Sequence, residues 1–223
     1  MQSLDARHAG AATLEPALSA LREQTLALFD ATHTALGGKL DIAYAEEVNP
    51  PLWELGHVAW FEEFWIARNS QRHLGARAQL DAARAAPLLP GADALYDSSN
   101  VAHTRRWHLR LPDARRTQRL LSQVRQRTLA LLQEADDSDD ALYFFRWLLM
   151  HEAMHHEAGL MIAQGQGWPL SQAAPAAAAA PRRELEVAGG TLVQGEDDGG
   201  FAFDNELGAH TVELADFAID SAP

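Results

Sequence analysis

The stretch HEAMHH at residues 151–156 contains three histidines, and two of them are four residues apart. On a helix, His151 and His155 would lie about 6 Å apart along the axis and on the same side. Two imidazoles placed in this way can bind one metal ion. The same stripe continues at steps of three or four residues through apolar positions, which predicts that it faces the core. These positions are Phe144, Leu148, Ala158 and Ile162.

His57 is a further histidine in an apolar setting. Aromatic residues surround it at helical spacing, which predicts that it also points inward; they are Trp53, Trp60, Phe61 and Phe64. A lone inward histidine is more often a core residue bonded to a carbonyl group. Three of them on two helices favour a shared site, because burying unpaired imidazoles is unfavourable and a metal ion satisfies them. We therefore predict a metal site formed by His57, His151 and His155.

The same stretch also matches the H-E-x-x-H pattern of zinc proteases. The longer metzincin pattern requires a glycine and a third histidine where this chain has Ala158 and Met161. Glu152 lies about 100° around the helix from its neighbouring histidine, and we expect it to be an exposed glutamate. Glu157 lies off the histidine stripe, where it is a candidate to orient an imidazole. The spacing therefore does not favour a protease.

Composition limits the classes of protein to which the chain can belong. It has 223 residues of which 47% are hydrophobic, enough for a sizeable core. A net charge of −13 and a single lysine argue against nonspecific binding to nucleic acid or to an anionic membrane. Without cysteine, any metal must be held by His, Asp or Glu. No apolar run of signal-peptide or transmembrane type is present, so a cytoplasmic protein is expected.

Four helical segments are predicted to position the histidines. The first covers residues 12–36, and the second opens with Asn49 as its N-cap and prolines at its first positions. The third runs from about 113 to 133. The fourth runs from about 139 to 164 and is capped by Ser138. This pattern predicts a mainly α fold, an antiparallel four-helix bundle.

The pattern changes after the last helix. We predict a bundle over residues 12–168 and a linker over 169–184, which contains the Ala/Pro-rich tract SQAAPAAAAAPRR. Residues 185–223 alternate apolar and polar positions between Gly- and Asp-rich turns, a β pattern. About forty residues are too few for a stable β domain. The segment is therefore expected to be the truncated beginning of a domain, or a rudimentary one.

Two stretches resemble a known enzyme family. PPLWELGHVAWFEEFW and HEAMHHE resemble the N-terminal DinB-type bundle of the sulfoxide synthases of ergothioneine biosynthesis. The segment VAGGTLVQGEDDGGFAFDNELGAHTVELADFAID resembles the start of their second domain, an α+β domain with the fold of formylglycine-generating enzymes, related to C-type lectins. The resemblance covers nearly the whole chain, with its motifs in family order.

This resemblance implies a non-haem iron(II) enzyme. Carried over to this chain, the iron ligands are His57, His151 and His155. These are the same three histidines for which helical spacing predicts a metal site. The implied reaction is O₂-dependent attachment of sulfur or selenium to the imidazole of hercynine. The implied partners are hercynine, O₂ and a selenosugar or thiol donor. The resemblance implies neither nucleic acid nor a membrane as a partner.

The stretch LYDSSNVAHTRRWHLRLP departs from the ergothioneine enzymes, which carry spaced arginines for a peptide-like donor. It is more similar to the selenoneine-synthase branch, whose donor is a selenosugar. Arg105 or Arg106 is a candidate for the donor site, and the alternative is that both are ordinary surface arginines. No tyrosine of the chain matches the family's proton-donating tyrosine, so we expect iron binding without a complete reaction in this chain.

Two other functions stay open from the residues alone. A DinB-type thiol transferase or hydrolase would use the same histidines with a divalent metal and no redox chemistry. A non-catalytic bundle would use the metal only for stability, as structural metal sites do.

Overall fold

The computed structural model describes residues 5–170, 181–197 and 199–222. The chain divides into two compact units, Met1–Ser171 and Gln172–Pro223. Most of the predicted linker lies outside the described residues.

The first unit is helical. Its α-helices are α1 (Ala11–Ala35), α2 (Pro51–Glu62), α3 (Ala92–Tyr96), α4 (Ala114–Gln133) and α5 (Asp139–Gly165). Helix α1 packs on α5 and α2 packs on α4, and the short α3 contacts α2. The predicted mainly α fold and its four long helices are confirmed.

Local capping explains where two of the long helices, α4 and α5, begin. Asp113 accepts a hydrogen bond from the Arg116 amide at the start of α4, and Ser138 accepts one from the Ala141 amide at the start of α5. The predicted Ser138 cap is confirmed. The predicted Asn49 cap is wrong, because Pro50 occupies the N-cap position of α2 and the Asn49 side chain bonds elsewhere.

Helix α2 is the most buried of the long helices. Nearly all of its residues from Trp53 onward are buried, and a helix that is apolar on every side belongs in a protein interior. A π-helical turn at Glu63–Ala67 continues it. The main core around it contains several fully buried side chains, among them Trp53, Tyr96, Phe144, Phe145 and Leu148. His57 therefore lies on the central helix of the unit.

Gly56 of α2 leaves no room for a side chain beside the ring of Tyr96 in α3. A Cβ atom at Gly56 would lie 2.2 Å from Cε1 of the Tyr96 ring, whereas one at Gly165 of α5 meets no described atom within 4 Å. We expect Gly56→Ala to lower the free energy of unfolding by about 1–3 kcal/mol, as overpacked core substitutions do. Gly165→Ala is the matched control and is expected to be neutral or slightly stabilising. Urea denaturation measures both, and equal midpoints for the two variants would contradict the expected overlap.

The second unit consists of short strands. These are β1 (Glu184–Val187), β2 (Gly190–Gln194), β3 (His210–Leu214) and β4 (Phe217–Asp220). Strand β1 pairs antiparallel with β4, and β2 pairs antiparallel with β3. Exposed apolar side chains remain on both ladders, including Leu185, Leu192, Phe217 and Ile219. The predicted β pattern is confirmed as the small beginning of a β domain.

Across the parts of the chain that the structure describes, no helix combines the length and apolar character needed to cross a membrane.

Candidate metal centre

The structure brings the three predicted histidines together. His57 comes from α2, and His151 and His155 come from successive turns of α5. One potential ligand atom from each residue lies within 4.8 Å of those of the other two. The ring centroid of His57 lies 5.4 Å from that of His151 and 5.0 Å from that of His155. The trio is therefore a compact cluster of nitrogen donors.

The imidazole of His57 is fixed in position and in tautomer. Its Nδ1 lies 2.8 Å from the backbone carbonyl oxygen of Tyr96. Because a carbonyl oxygen only accepts hydrogen bonds, Nδ1 carries the hydrogen and donates it, which leaves a lone pair on Nε2 in the neutral ring. Trp53 stacks on the ring at 5.1 Å between centroids, and Trp60 at 5.7 Å. The ring therefore presents a ligand nitrogen without further rearrangement.

A carboxylate orients His155. Its Nδ1 hydrogen-bonds to Oε1 of Glu54, and Oε2 of Glu54 accepts a second hydrogen bond of 2.9 Å from the Asn49 amide. Burial alone would raise the pKa of Glu54, but the interactions with His155, His57 and Asn49 together outweigh burial and hold the pKa below its usual value. The orienting role predicted for Glu157 is wrong, because Glu157 is exposed and Glu54 makes this contact.

His151 has a different environment. Its ring stacks on Phe61 at 3.4 Å between centroids, and its Nε2 lies 3.0 Å from Nε2 of His155. Its Nδ1 is buried without a hydrogen-bond partner among the described residues. Two facing lone pairs would repel each other, so this spacing requires a proton or a cation between the rings. The donor set fits a metal ion that accepts imidazole ligands, a class that includes zinc, copper, iron and nickel.

Burial keeps two of the three imidazoles neutral. Burial and the charge of His155 lower the pKa of His57 to about 4. Burial, His155 and His57 lower the pKa of His151 well below its usual value. Both imidazoles are therefore neutral at neutral pH, and a neutral imidazole is the form that coordinates a metal.

A buried network of four charged side chains lies beside the histidines. Each long helix contributes one member, Arg22 from α1, Glu62 from α2, Arg125 from α4 and Glu152 from α5. The expectation that Glu152 is exposed is wrong, since its relative exposure is 0%. The physical reason is that two arginines from other helices converge on the side of α5 next to His151.

The network is closed and its formal charges cancel. The guanidinium of Arg22 donates to both carboxylates, with Nε 2.7 Å from Oε1 of Glu152 and Nη2 2.6 Å from Oε2 of Glu62. Arg125 does the same, with Nε 2.9 Å from Oε1 of Glu62 and Nη2 2.5 Å from Oε2 of Glu152. Glu152 follows His151 directly, and Glu62 lies five residues after His57 on α2. The network therefore ties together the two helices that carry the cluster.

The charged network predicts a loss of stability in acid. Burial alone would raise the pKa of Glu62, but Arg125 and Arg22 outweigh it and lower this pKa to about 2. Because the folded-state pKa lies below the usual 4.5, this stabilisation is present above about pH 4.5 and is lost as the pH falls toward 2. We expect the free energy of unfolding to fall between about pH 5 and pH 2, and less steeply in Glu62→Gln.

Chemical denaturation at a series of pH values measures this slope. Glu157→Gln removes an exposed carboxyl group from α5 and is expected to keep the wild-type slope. A slope in Glu62→Gln as steep as that of the wild type would show that other groups control acid unfolding.

The two arginines predicted for the donor site have different environments. Arg105 is exposed in the 3₁₀ turn His103–His108. Arg106 is half-buried, and its Nη1 donates a hydrogen bond of 2.7 Å to Oδ1 of Asn49. Its guanidinium carbon also lies 4.0 Å from the centroid of the Trp53 ring. Arg106 is thus in contact with residues that orient the histidine cluster.

Sequence reasoning missed Glu54, although a signal for it was present. Glu54 lies three residues before His57, and residues three apart on a helix are neighbours on its surface. An acidic side chain one turn from an inward histidine is therefore a candidate to orient an imidazole. Asn49 carries no such signal, because it precedes the helix and its contacts depend on a distant turn.

The fold and the histidine cluster define the class of protein. Residues 17–158 match the DinB superfamily. The chain therefore belongs to this superfamily, and the match includes all three clustered histidines.

Three relatives are similar to almost the whole chain. The hercynine oxygenase of Mycolicibacterium smegmatis (strain ATCC 700084 / mc(2)155) is 28% identical over 95% of this chain and 47% of its own length. That of Mycolicibacterium thermoresistibile is 28% identical over 91% and 44%, and that of Mycobacterium tuberculosis is 29% identical over 92% and 47%. The chain spans about half the length of the relatives it matches.

Proposed function

We propose that this chain forms the metal-binding part of a non-haem iron(II), O₂-dependent enzyme that modifies the imidazole of hercynine. The metal ligands in this proposal are His57, His151 and His155. The observation that carries it is the convergence of three ring nitrogens, two of them on imidazoles kept neutral by burial. Similarity to proteins named hercynine oxygenase supports the choice of substrate.

The protein's own residues would hold and orient the metal. The Tyr96 carbonyl and the Glu54 carboxylate each accept an N–H from one ligand histidine, which directs the opposite ring nitrogen toward the shared space. The rings of Phe61, Trp53 and Trp60 cover the histidines and limit access of water. Iron(II), when bound, supplies the redox chemistry through which O₂ is used.

In the proposed reaction a chalcogen donor is joined to hercynine. The imidazole C–H bond and the S–H or Se–H bond of the donor are broken, and a C–S or C–Se bond forms, which releases two electrons. Oxidation of the chalcogen to its oxide releases two more. One O₂ accepts all four electrons, and its oxygen atoms end in the oxide and in one water molecule. We favour the selenoneine branch, with a selenosugar as the donor.

The proposal also assigns residues to the donor site and bounds to the domains. Arg105 and Arg106 are candidates to contact the donor, and the exposed Arg105 is the more accessible of the two. We assign residues 12–168 to the bundle, 169–184 to a linker and 185–223 to the start of a formylglycine-generating-enzyme-like domain. Apolar side chains exposed on the β ladders support a larger β domain.

The second candidate is a DinB-type thiol transferase or hydrolase that uses a divalent metal without redox chemistry. The specific observation in its favour is that the superfamily match covers the bundle and not the β segment. A non-catalytic bundle stabilised by its metal is the third candidate. Neither alternative needs O₂.

Anaerobic titration of the chain with Fe(II), followed by exposure to O₂ with hercynine and either donor, tests the proposal. We expect near-stoichiometric iron binding that is lost in His57→Ala. Hercynine-dependent O₂ consumption, where it occurs, would distinguish the oxygenase from both alternatives, neither of which uses O₂. Tightly bound zinc without iron uptake would contradict the oxygenase. Turnover of a thiol without O₂ would instead establish the second candidate.

A further inference from the structure

Arg106 makes two kinds of contact that both lead to the histidine cluster. Its Nη1 donates to Oδ1 of Asn49 at 2.7 Å, and its guanidinium lies over the face of the Trp53 ring at 4.0 Å. Longer contacts from Nη2 to the carbonyl oxygens of Ser98 and Val101, at 3.5 and 3.4 Å, hold the guanidinium in its loop. The side chain is therefore held on several sides.

The first route from Arg106 ends at His155. Asn49 accepts from Arg106 through its side-chain oxygen and donates through its amide nitrogen to Oε2 of Glu54 at 2.9 Å. The other oxygen of Glu54 hydrogen-bonds to Nδ1 of His155. Since an amide flip would place two acceptors or two donors face to face, Arg106 fixes the orientation of Asn49 and thereby that of the carboxylate.

The second route ends at His57. The Trp53 ring contacts both groups: the Arg106 guanidinium lies 4.0 Å from its centroid, and the His57 imidazole stacks on it at 5.1 Å with an interplanar angle of 9°. A guanidinium above an indole is attracted by the negative face of the ring. Arg106 therefore stabilises the position of the Trp53 indole ring, on which His57 stacks.

We propose that Arg106 is a positioning residue, an inference that rests on the metal centre of the proposed function. It acts on His155 through Asn49 and Glu54, and it acts on His57 through Trp53. One side chain outside the bundle helices thus sets the directions of two ligand nitrogens on two different helices. Arg105, its exposed neighbour, has no share in this role.

Cobalt(II) titration of the full chain tests this inference, because the visible absorption of bound cobalt reports the geometry of its ligands. We expect Arg106→Gln to weaken cobalt binding about tenfold, the lower end of the range for residues that orient ligands, and to change the absorption spectrum. Arg110→Gln changes an exposed arginine of the same segment, is the matched control, and is expected to keep the wild-type affinity and spectrum. Arg106→Lys is expected to recover part of the affinity, since an ammonium group can still donate to Asn49.

Three results separate this inference from the proposed metal centre. Absence of cobalt binding in the wild type would overturn the metal centre itself. Wild-type binding together with an unchanged spectrum and affinity in Arg106→Gln would overturn the positioning role alone. Asn49→Ala cuts only the first route, and it is expected to weaken binding while circular dichroism stays that of the folded chain. Unchanged binding in Asn49→Ala would also contradict the inference.

Discussion

His151→Ala is expected to lower the affinity for a divalent first-row metal by at least about a hundredfold. Loss of a residue that only orients a ligand already reduces metal affinity about 10- to 100-fold, and this substitution removes a ligand itself. The two remaining imidazoles, on different helices, lack the third nitrogen within 4.8 Å that the wild type provides. Titration with cobalt(II) under anaerobic conditions measures the change directly.

The same substitution is expected to remove stabilisation by metal. A ligand that binds only the folded state at 100 times its Kd adds about 2.7 kcal/mol to the free energy of unfolding. The wild type is therefore expected to melt at a higher temperature with cobalt, and His151→Ala is expected to lose most of this shift.

His156→Ala provides the matched control. His156 is the next histidine on α5 and lies outside the proposed metal-binding trio. It is expected to keep both the wild-type affinity and the shift in melting temperature. An equal loss of affinity in His151→Ala and His156→Ala would contradict the assignment of the ligands.

Glu152→Ala is expected to destabilise the bundle by about 3–5 kcal/mol, the cost of removing one partner of a buried ion pair. The side chain is fully buried and accepts from both Arg22 and Arg125. Without it, two guanidinium groups share the single carboxylate of Glu62 in the interior. Because domains are stable by only about 5–15 kcal/mol, urea denaturation will show a large decrease in the midpoint.

A double variant distinguishes loss of pairing from loss of packing. Arg22→Met with Glu152→Leu removes one charge of each sign and replaces both side chains with apolar ones. Its loss of stability is expected to be smaller than the sum of the losses in Arg22→Met and Glu152→Leu, since each single variant leaves a buried charge without its partner. Strict additivity would show that the contacts in this network contribute independently.

The exposed Glu157 provides the control for the Glu152 series. Glu157→Ala changes a glutamate on the same helix and is expected to stay within about 0.5 kcal/mol of the wild type. A similarly small effect in Glu152→Ala would contradict the stabilising role of the charged network.

Periodicity was sufficient to predict the helices and the inward direction of the clustered histidines. The predicted fourth helix, 139–164, nearly coincides with the observed helix Asp139–Gly165. Its start could be predicted because its cap and its first-turn acidic residues are local signals. The histidine stripe on α5 was predictable for the same reason. A helical wheel relates each residue to others on its own helix, and that is sufficient to group His151 with His155.

The burial of Glu152 could not be predicted from helical periodicity. The wheel places Glu152 beside the core stripe, and a glutamate there is ordinarily solvated. Its burial depends on Arg22 and Arg125, which lie 130 and 27 residues away in the chain. No local pattern contains that pairing, since the partners belong to different helices.

The sequence by itself determined the helices, the inward stripe of His151 and His155, the aromatic setting of His57 and the β character of the last segment. These features depend on interactions between residues a few positions apart. Only the tertiary structure decided that His57 meets the other two, that Glu54 orients His155 and that Arg106 reaches Asn49. Those contacts join residues 94, 101 and 57 positions apart, and their geometry follows from how helices and loops pack.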